Sequence, residues 1–155
     1  MAIEEGKNAP AFTLTDTNGE KVALKDIKGS TIVLYFYPRD DTPGCTKEAC
    51  GFRDLWKEIQ KTGAVVYGVS PDTAESHQKF TRKYKLPFNL LSDPDKKMMT
   101  RYGAYGEKTM YSKKTMGVIR STVIIDAKGK VARHWRRVAK AADHPAKVLE
   151  ALQNM

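Results

Sequence analysis

The sequence predicts an α/β domain in which helices flank a central mixed β-sheet, preceded by an N-terminal β-hairpin. Three observations carry this. Thr31–Tyr37 and Ala64–Ser70 are continuous apolar runs rich in β-branched and aromatic residues, as expected of strands buried on both faces. A segment with apolar residues at helical spacing joins them, so strand, helix and strand form a βαβ unit whose crossover should be right-handed. Asn18-Gly19 lies between two alternating segments, a strong hairpin signal.

In chain order, Phe12–Thr15 and Lys21–Leu24 pair around that turn, and Lys28-Gly29 leads into the strand Thr31–Tyr37. A helix follows over about Pro43 to Lys61, with Phe52, Leu55, Trp56 and Ile59 on its buried face and Gly63 as its stop. Asp72 or Thr73 caps a helix reaching Tyr84, in which His77, Phe80 and Tyr84 share a face and are most simply core contacts. Leu86–Leu91 is a short extended segment with a proline at its edge. Asp93-Pro94 opens a further helix through about Tyr102, with Met98, Met99 and Tyr102 turned inward.

From Gly103 to Met116 no clear periodicity is visible, which predicts a loop near the site. Its Tyr105, Met110, Tyr111 and Met116 fit equally well as an apolar approach for an organic substrate or as packing residues. Val118–Asp126 reads as a strand, turned by Ala127–Lys130 into Val131–Arg137. A last helix, capped near Asp143, carries Val148, Leu149 and Leu152. No repeat, low-complexity segment, linker, phosphate-binding glycine loop or hydrolase triad is present.

At 155 residues the chain has the length of one domain. Met1–Gly6 is polar and mixed, without the apolar stretch of a signal, and no run approaches transmembrane length, so a cytoplasmic location is expected. In that compartment two cysteines argue for redox or catalytic use over a structural framework. His77, His134 and His144 are dispersed and lack the paired spacing of a zinc centre, so they read as surface or packing residues. The net charge of +9 raises the question of nucleic acid, with Arg133–Arg137 as the densest cluster. On a strand those side chains alternate faces, and other basic residues are interleaved with acidic ones, so no nucleic-acid partner is expected.

The chemistry concentrates in Pro38–Cys50, which holds both cysteines. Thr42 suits the N-cap and Pro43 the first helical position, which puts Cys45 in the first turn. There the unsatisfied amides and the positive end of the helix dipole favour thiolate over thiol. Cys45 shares a face with Ala49 and Phe52 and should point into the domain. Cys50, five residues on, is rotated by roughly 140° and points elsewhere. In an intact helix their Cα atoms would stand about 8.6 Å apart. A disulfide needs less than about 7 Å, so bonding would require the first turns to unwind. Both cysteines can alternatively be small buried hydrophobes.

Pro38, Thr42 and Cys45 match the Pro-x-x-x-Thr-x-x-Cys signature, and with Thr42–Asp54 the chain resembles the peroxiredoxins, in particular the bacterioferritin comigratory protein or peroxiredoxin Q subfamily. The likeness runs on through Gly68-Val69-Ser70, Leu91-Ser92-Asp93 and Arg120–Asp126. It implies a thioredoxin fold with an N-terminal extension, one domain over 1–155, and a monomer. It also implies an antioxidant peroxidase acting on hydrogen peroxide and organic hydroperoxides. Cys45 would be oxidised to a sulfenic acid and Cys50 would resolve it as an intramolecular disulfide. Thioredoxin, or else glutaredoxin, would reduce that bond. By the same resemblance Arg120 and Thr42 serve the reacting oxygens, Pro38 shields the sulfur and Glu48 orients the arginine. Glu48 lies three residues from Cys45 and would oppose its ionisation, which Arg120 and the helix terminus must outweigh. No cofactor or metal is required, because sulfur carries the electrons.

Two other classes fit parts of this pattern. A thiol–disulfide oxidoreductase on the same fold would ordinarily carry Cys-x-x-Cys, whereas this pair is Cys-x-x-x-x-Cys. A binding protein switched by its disulfide would bind clients on oxidation and turn over little peroxide.

Overall fold

The computed structural model describes residues 3–110 and 112–155. Strand β1 (Thr13–Asp16) and strand β2 (Lys21–Ala23) form the expected hairpin around Asn18-Gly19, with Leu24 already in the short helix α1 (Leu24–Ile27). Strand β3 (Ile32–Phe36) follows, buried at every residue. The side-chain alternation of a strand divides it between two cores. Ile32, Leu34 and Phe36 join one with Phe12, Met99 and Tyr102, while Val33 and Tyr35 join the other with Cys45, Phe52 and Phe80.

Beyond β3 come helix α2 (Pro43–Asp54), helix α3 (Trp56–Lys61) and strand β4 (Val65–Ser70), which pairs parallel to β3. Helix α4 (Ala74–Tyr84) leads to strand β5 (Asn89–Ser92), parallel to β4 and antiparallel to β1. Helix α5 (Lys97–Arg101), strand β6 (Tyr105–Met110) and strand β7 (Lys113–Val118) precede strand β8 (Ser121–Ile125) and strand β9 (Val131–Trp135). Helix α6 (His144–Gln153) ends the fold. The main sheet has the order β2-β1-β5-β4-β3-β8-β9 and is mixed, as expected.

Several boundaries depart from expectation. The helix expected over Pro43 to Lys61 divides at Leu55, whose ψ of 10° leaves the helical region. The bend lets Trp56 pack on Phe88 at 5.7 Å while Ile59 is buried. The helix expected from Asp93 begins at Lys97, because the Asp93 carboxylate accepts from the Met99 amide and organises the preceding turn. The expected loop from Gly103 to Met116 is instead the β6–β7 hairpin, in register from Tyr105 opposite Val118 to Met110 opposite Lys113. Backbone pairing rather than burial holds that hairpin, so it has no apolar periodicity. Tyr105 packs against the first core and Met116 is 62% exposed, while Tyr111 lies outside the described residues.

The strand expected over Val118–Asp126 is also interrupted, since β7 ends at Val118 and β8 begins at Ser121. Ile119 and Arg120 between them bond elsewhere: the Ile119 amide donates to Ala104 O, and Arg120 O accepts from the Val138 amide. The charged cluster at the end of β9 divides by alternation, with the Arg133 guanidinium stacked over Trp135 at 4.8 Å.

Close packing behind β3 generates one test. Tyr35 pairs with Gly68 across the sheet, and a Cβ on Gly68 would stand 2.7 Å from the Tyr35 ring and 2.8 Å from Leu90. Tyr35 is stacked on Phe52 at 4.8 Å and has no free space to enter. Gly68→Ala should therefore destabilise the protein by about 1–3 kcal/mol, measured as a lower urea midpoint. An unchanged midpoint would mean that this aromatic cluster can shift at little cost.

Candidate active site

Strand β3 delivers the chain to the loop Tyr37–Thr42 at its carboxyl end, where open α/β sheets place their sites. Asp40 anchors this loop. Its carboxylate accepts from Tyr37 Oη and, at 2.8 Å, from Ser76 Oγ, and lies 2.7 Å from His77 Nδ1. The Asp40 amide donates to Asp72 Oδ2 at 2.7 Å, and Ser70 Oγ donates to the same oxygen. Both ring nitrogens of His77 face acceptor oxygens, the second being Leu91 O at 3.2 Å. Burial, then Tyr35 and Asp40, hold the Tyr37 phenol well above its ordinary range, so it remains a donor. Asp41 takes a left-handed φ of 56°, with its carboxylate held by Lys83 Nζ and Tyr84 Oη, each at 2.8 Å. Those two hydrogen bonds hold the Asp41 carboxyl below its usual range.

Asp40, Asp72 and His77 bring two carboxylate oxygens and an imidazole nitrogen within 4.8 Å of one another, a donor set able to hold a cation. Their facing atoms are already committed to Ser70, Ser76, each other and the Asp40 amide, so the cluster acts as a closed hydrogen-bond network. Asp72 and His77 lie 32 and 37 residues from Asp40 in sequence, and no local spacing signals their meeting.

Thr42 occupies the N-cap position, but its hydroxyl accepts no helical amide. It donates to Arg39 O at 2.9 Å instead, which leaves its lone pairs for another donor. Pro43 begins α2, and the first helical hydrogen bond runs from Thr46 N to Thr42 O. The amides of Gly44 and Cys45 precede that ladder and belong to the unsatisfied helix terminus. Cys45 is 1% exposed within the second core, and Cys50, still in α2, is half-buried; both are free thiols.

Arg120 is brought to this turn by the interruption between β7 and β8. Its Nη2 donates to Cys45 Sγ at 3.3 Å and its Nη1 to Glu48 Oε1 at 2.8 Å. Gly44 permits the approach, since a Cβ there would stand 3.1 Å from Arg120 Nη2. Glu48 is fully buried, and its Oε2 has no partner among the described residues. Burial pushes its carboxyl up to about 7 even though Arg120 opposes the shift. Burial works against the Arg120 charge, but Glu48 and Cys45 outweigh it and hold the guanidinium above its ordinary range. Pro38 is exposed and lines a cleft of about 220 Å³ with Val118, Ile119, Arg120 and Val138.

Of the residues expected at the site, Cys45, Glu48 and Arg120 meet directly, Thr42 and Pro38 border them, and Cys50 stands apart on the same helix. The arrangement presents a buried sulfur beside a fixed cation and unsatisfied amides, which suits attack on a polarised bond whose leaving atom gains negative charge.

The model of the AhpC/TSA family matches residues 6–134. A putative peroxiredoxin bcp of Coxiella burnetii is 49% identical over 152 residues, covering 98% of this chain and 100% of that one. Peroxiredoxin Bcp of Bacillus subtilis is 46% identical over 155 residues, covering 100% and 98%. A structure of peroxiredoxin Q from Xanthomonas campestris superposes with a TM-score of 0.90 at 38% identity, covering 97% of each chain. Another, at 37% identity and a TM-score of 0.90 over 97% and 98% of the chains, concerns alkyl peroxide reduction by that organism's bacterioferritin comigratory protein in trapped intermediate and ligand complexes. With a thioredoxin-like sheet, a buried cysteine against an arginine, and near full-length relatives, the chain belongs to the AhpC/TSA family as a peroxiredoxin, an oxidoreductase of the peroxidase kind.

Proposed function

We infer that the protein reduces hydrogen peroxide and organic hydroperoxides through Cys45, with Cys50 as the resolving thiol and thioredoxin as the external reductant. The contact between Arg120 Nη2 and Cys45 Sγ at 3.3 Å carries the assignment, because it sets a permanent cation against the sulfur that is to attack. The thiolate attacks the terminal oxygen of the hydroperoxide. A sulfur–oxygen bond forms, the O–O bond breaks, and the departing alkoxide or hydroxide takes a proton to leave as alcohol or water. Arg120 and the amides of Gly44 and Cys45 are placed to receive the charge that moves onto the leaving oxygen. The Thr42 hydroxyl can accept from the hydroperoxide proton and so hold the terminal oxygen towards sulfur.

Cys50 sulfur then attacks the sulfenic acid, forming the disulfide and releasing water. Both cysteines lie in continuous α2, where their Cα atoms are about 8.6 Å apart by helix geometry, beyond the roughly 7 Å limit for a disulfide. The turns around them therefore unwind as the bond forms. A dithiol returns two electrons and two protons to restore both thiols. Thioredoxin is assigned to that step on the family resemblance, with glutaredoxin as the second candidate, and the chain over 1–155 acts as a single, monomeric domain.

Cys45→Ser should abolish peroxide reduction. Cys50→Ser should still lose one thiol to stoichiometric peroxide but should stall under thioredoxin-driven turnover. In the parent, one equivalent of peroxide should remove both thiols and lower the intact mass by about two daltons, as one internal disulfide requires. Retention of both thiols would sink the peroxidase assignment. Full turnover by Cys50→Ser would remove Cys50 from it.

Arg120→Ala should slow oxidation of Cys45 by about 10²–10³-fold, as loss of a preorganised donor to developing charge does elsewhere. Arg120→Lys should recover little, because a single ammonium cannot reproduce the fork that reaches both Cys45 and Glu48. Stopped-flow oxidation rates check both, and an unchanged rate would take Arg120 out of the chemistry.

Glu48 gives a pH-dependent signature. Its carboxyl is raised from 4.5 to about 7 in the fold, so the folded protein holds a proton that the unfolded chain releases. Stability linked to it is fully present below about 4.5 and declines as pH rises through about 7, by about 3 kcal/mol at most. Glu48→Gln should remove that decline. Urea unfolding of parent and variant at both ends of this window measures it, and parallel pH profiles would show that Glu48 does not titrate there.

A further inference from the structure

We propose that Lys108 and Arg137 form an acid-binding subsite in the cleft beside Arg120, so that organic hydroperoxides carrying a carboxylate react faster than neutral ones of the same frame. The inference rests on the peroxidase assignment above and names the substrate class of that same site. Both residues line the cleft of about 220 Å³ that holds Pro38 and Arg120. At about 30 Å³ per water this is the room of roughly seven waters, enough for a small acidic group and part of its carbon frame.

The charge in this cleft is uncompensated. No carboxylate lines it, and neither Lys108 nor Arg137 makes an ion pair among the described residues. Arg120 is already committed, with one terminal nitrogen on Glu48 and the other on the sulfur. The positive charge left for a ligand is therefore that of Lys108 and Arg137. Glu107, the nearest acid along β6, points to the opposite side of the strand and pairs with Lys114 at 3.7 Å. The cleft on the other side of Arg120 has Lys47 and Lys140 but also Asp143, so an anion is better served by the first.

Lys108 is held in place, and the backbone that carries the exposed Arg137 is anchored beside it. Lys108 Nζ donates to Val118 O at 3.1 Å, and its stem crosses Gly117, where a Cβ would stand 2.7 Å from Lys108 Cε. One donated bond leaves two ammonium hydrogens free. The backbone next to Arg137 is tied to the site by the Val138 amide, which donates to Arg120 O at 2.8 Å. Val118, Ile119, Val138 and Pro38 supply apolar walls for the carbon part of the ligand. A molecule with an acid at one end and a hydroperoxide at the other can then place its acid on Lys108 and Arg137 while its O–O bond reaches Cys45 along Arg120.

The test compares cumene hydroperoxide bearing a para carboxylate with its methyl ester, following loss of the Cys45 thiol in single turnovers of the reduced protein. Hydrogen peroxide, which has no acid group, reports whether Cys45 is competent in each preparation. At low salt the acid should react about tenfold faster than the ester, and high salt should shrink the difference. The double variant Lys108→Ala, Arg137→Ala should bring the ratio close to one, while Lys57→Ala, remote on α3, should preserve it. Equal rates for acid and ester in a parent that hydrogen peroxide oxidises would overturn the subsite alone. An equal loss of preference in Lys57→Ala would overturn it in favour of overall charge. A parent inert to hydrogen peroxide would overturn the peroxidase assignment and the subsite with it.

Discussion

Glu48 and Cys45 lie one helical turn apart, both buried, and both receive donors from the single guanidinium of Arg120. A carboxyl group in that position is costly to ionise, and even with Arg120 beside it Glu48 stays displaced to about 7. Removing the cation would leave the buried Glu48 carboxyl without its only charged partner among the described residues. The surrounding structure is arranged to keep it there. The chain leaves the β6–β7 hairpin at Val118 and enters the main sheet at Ser121, so Arg120 lies between the two ladders, and Val138 and Ala104 take up the backbone bonds of the connection. On the other side Gly44 removes the one side chain that would crowd the guanidinium.

The loop before α2 needs the same order by different means. It is short of regular structure, and a loop that carries reacting groups must lose its freedom to position them. The Asp40 network supplies that restraint by tying the loop to the end of β4 through Ser70 and Asp72, and to α4 through Ser76 and His77. Lys83, by a salt bridge, and Tyr84, by its hydroxyl, hold the left-handed Asp41 from the last turn of α4. Helix α4 therefore serves the site without contributing a reacting group.

How much of this was legible in the sequence depends on the range over which each signal acts. The hairpin at Asn18-Gly19, strands β3 and β4, and the start of α2 at Thr42-Pro43 are set by neighbours in sequence and were expected. The bend at Leu55 answers to Phe88, and the β6–β7 hairpin is held by backbone pairing, so neither left a periodic trace. At the site, Cys45 could be placed from its turn alone. Arg120 and Glu48 came from family likeness, because a strand-end arginine and a helical glutamate look the same whether or not they meet. His77 read as a core contact, and it is buried. Its bond to Asp40 depends on two distant segments converging, as does the cleft that Lys108 and Arg137 both line.

The position of the second cysteine bears on how such a site can cycle. Cys45 and Cys50 both precede the point where α2 is fastened most firmly. Phe52 stacks on Tyr35 at 4.8 Å and meets Phe88 edge-on, and Gly51 brings the helix close against Pro145 of α6. Beyond Leu55 the chain is docked again by Trp56 and Ile59. Unwinding the turns between the cysteines can therefore leave the second half of α2 and all of α3 in place. What it must give up is the burial of Cys45 and Ala49 and the bonds from Arg120. Oxidation of the sulfur, as proposed, would weaken the same attachment, since a neutral sulfenic acid attracts a guanidinium less than a thiolate does. In the proposed cycle the interaction that holds the reduced turn closed would thus be the one that the chemistry removes, which sets the order oxidation, release of the turn, approach of Cys50.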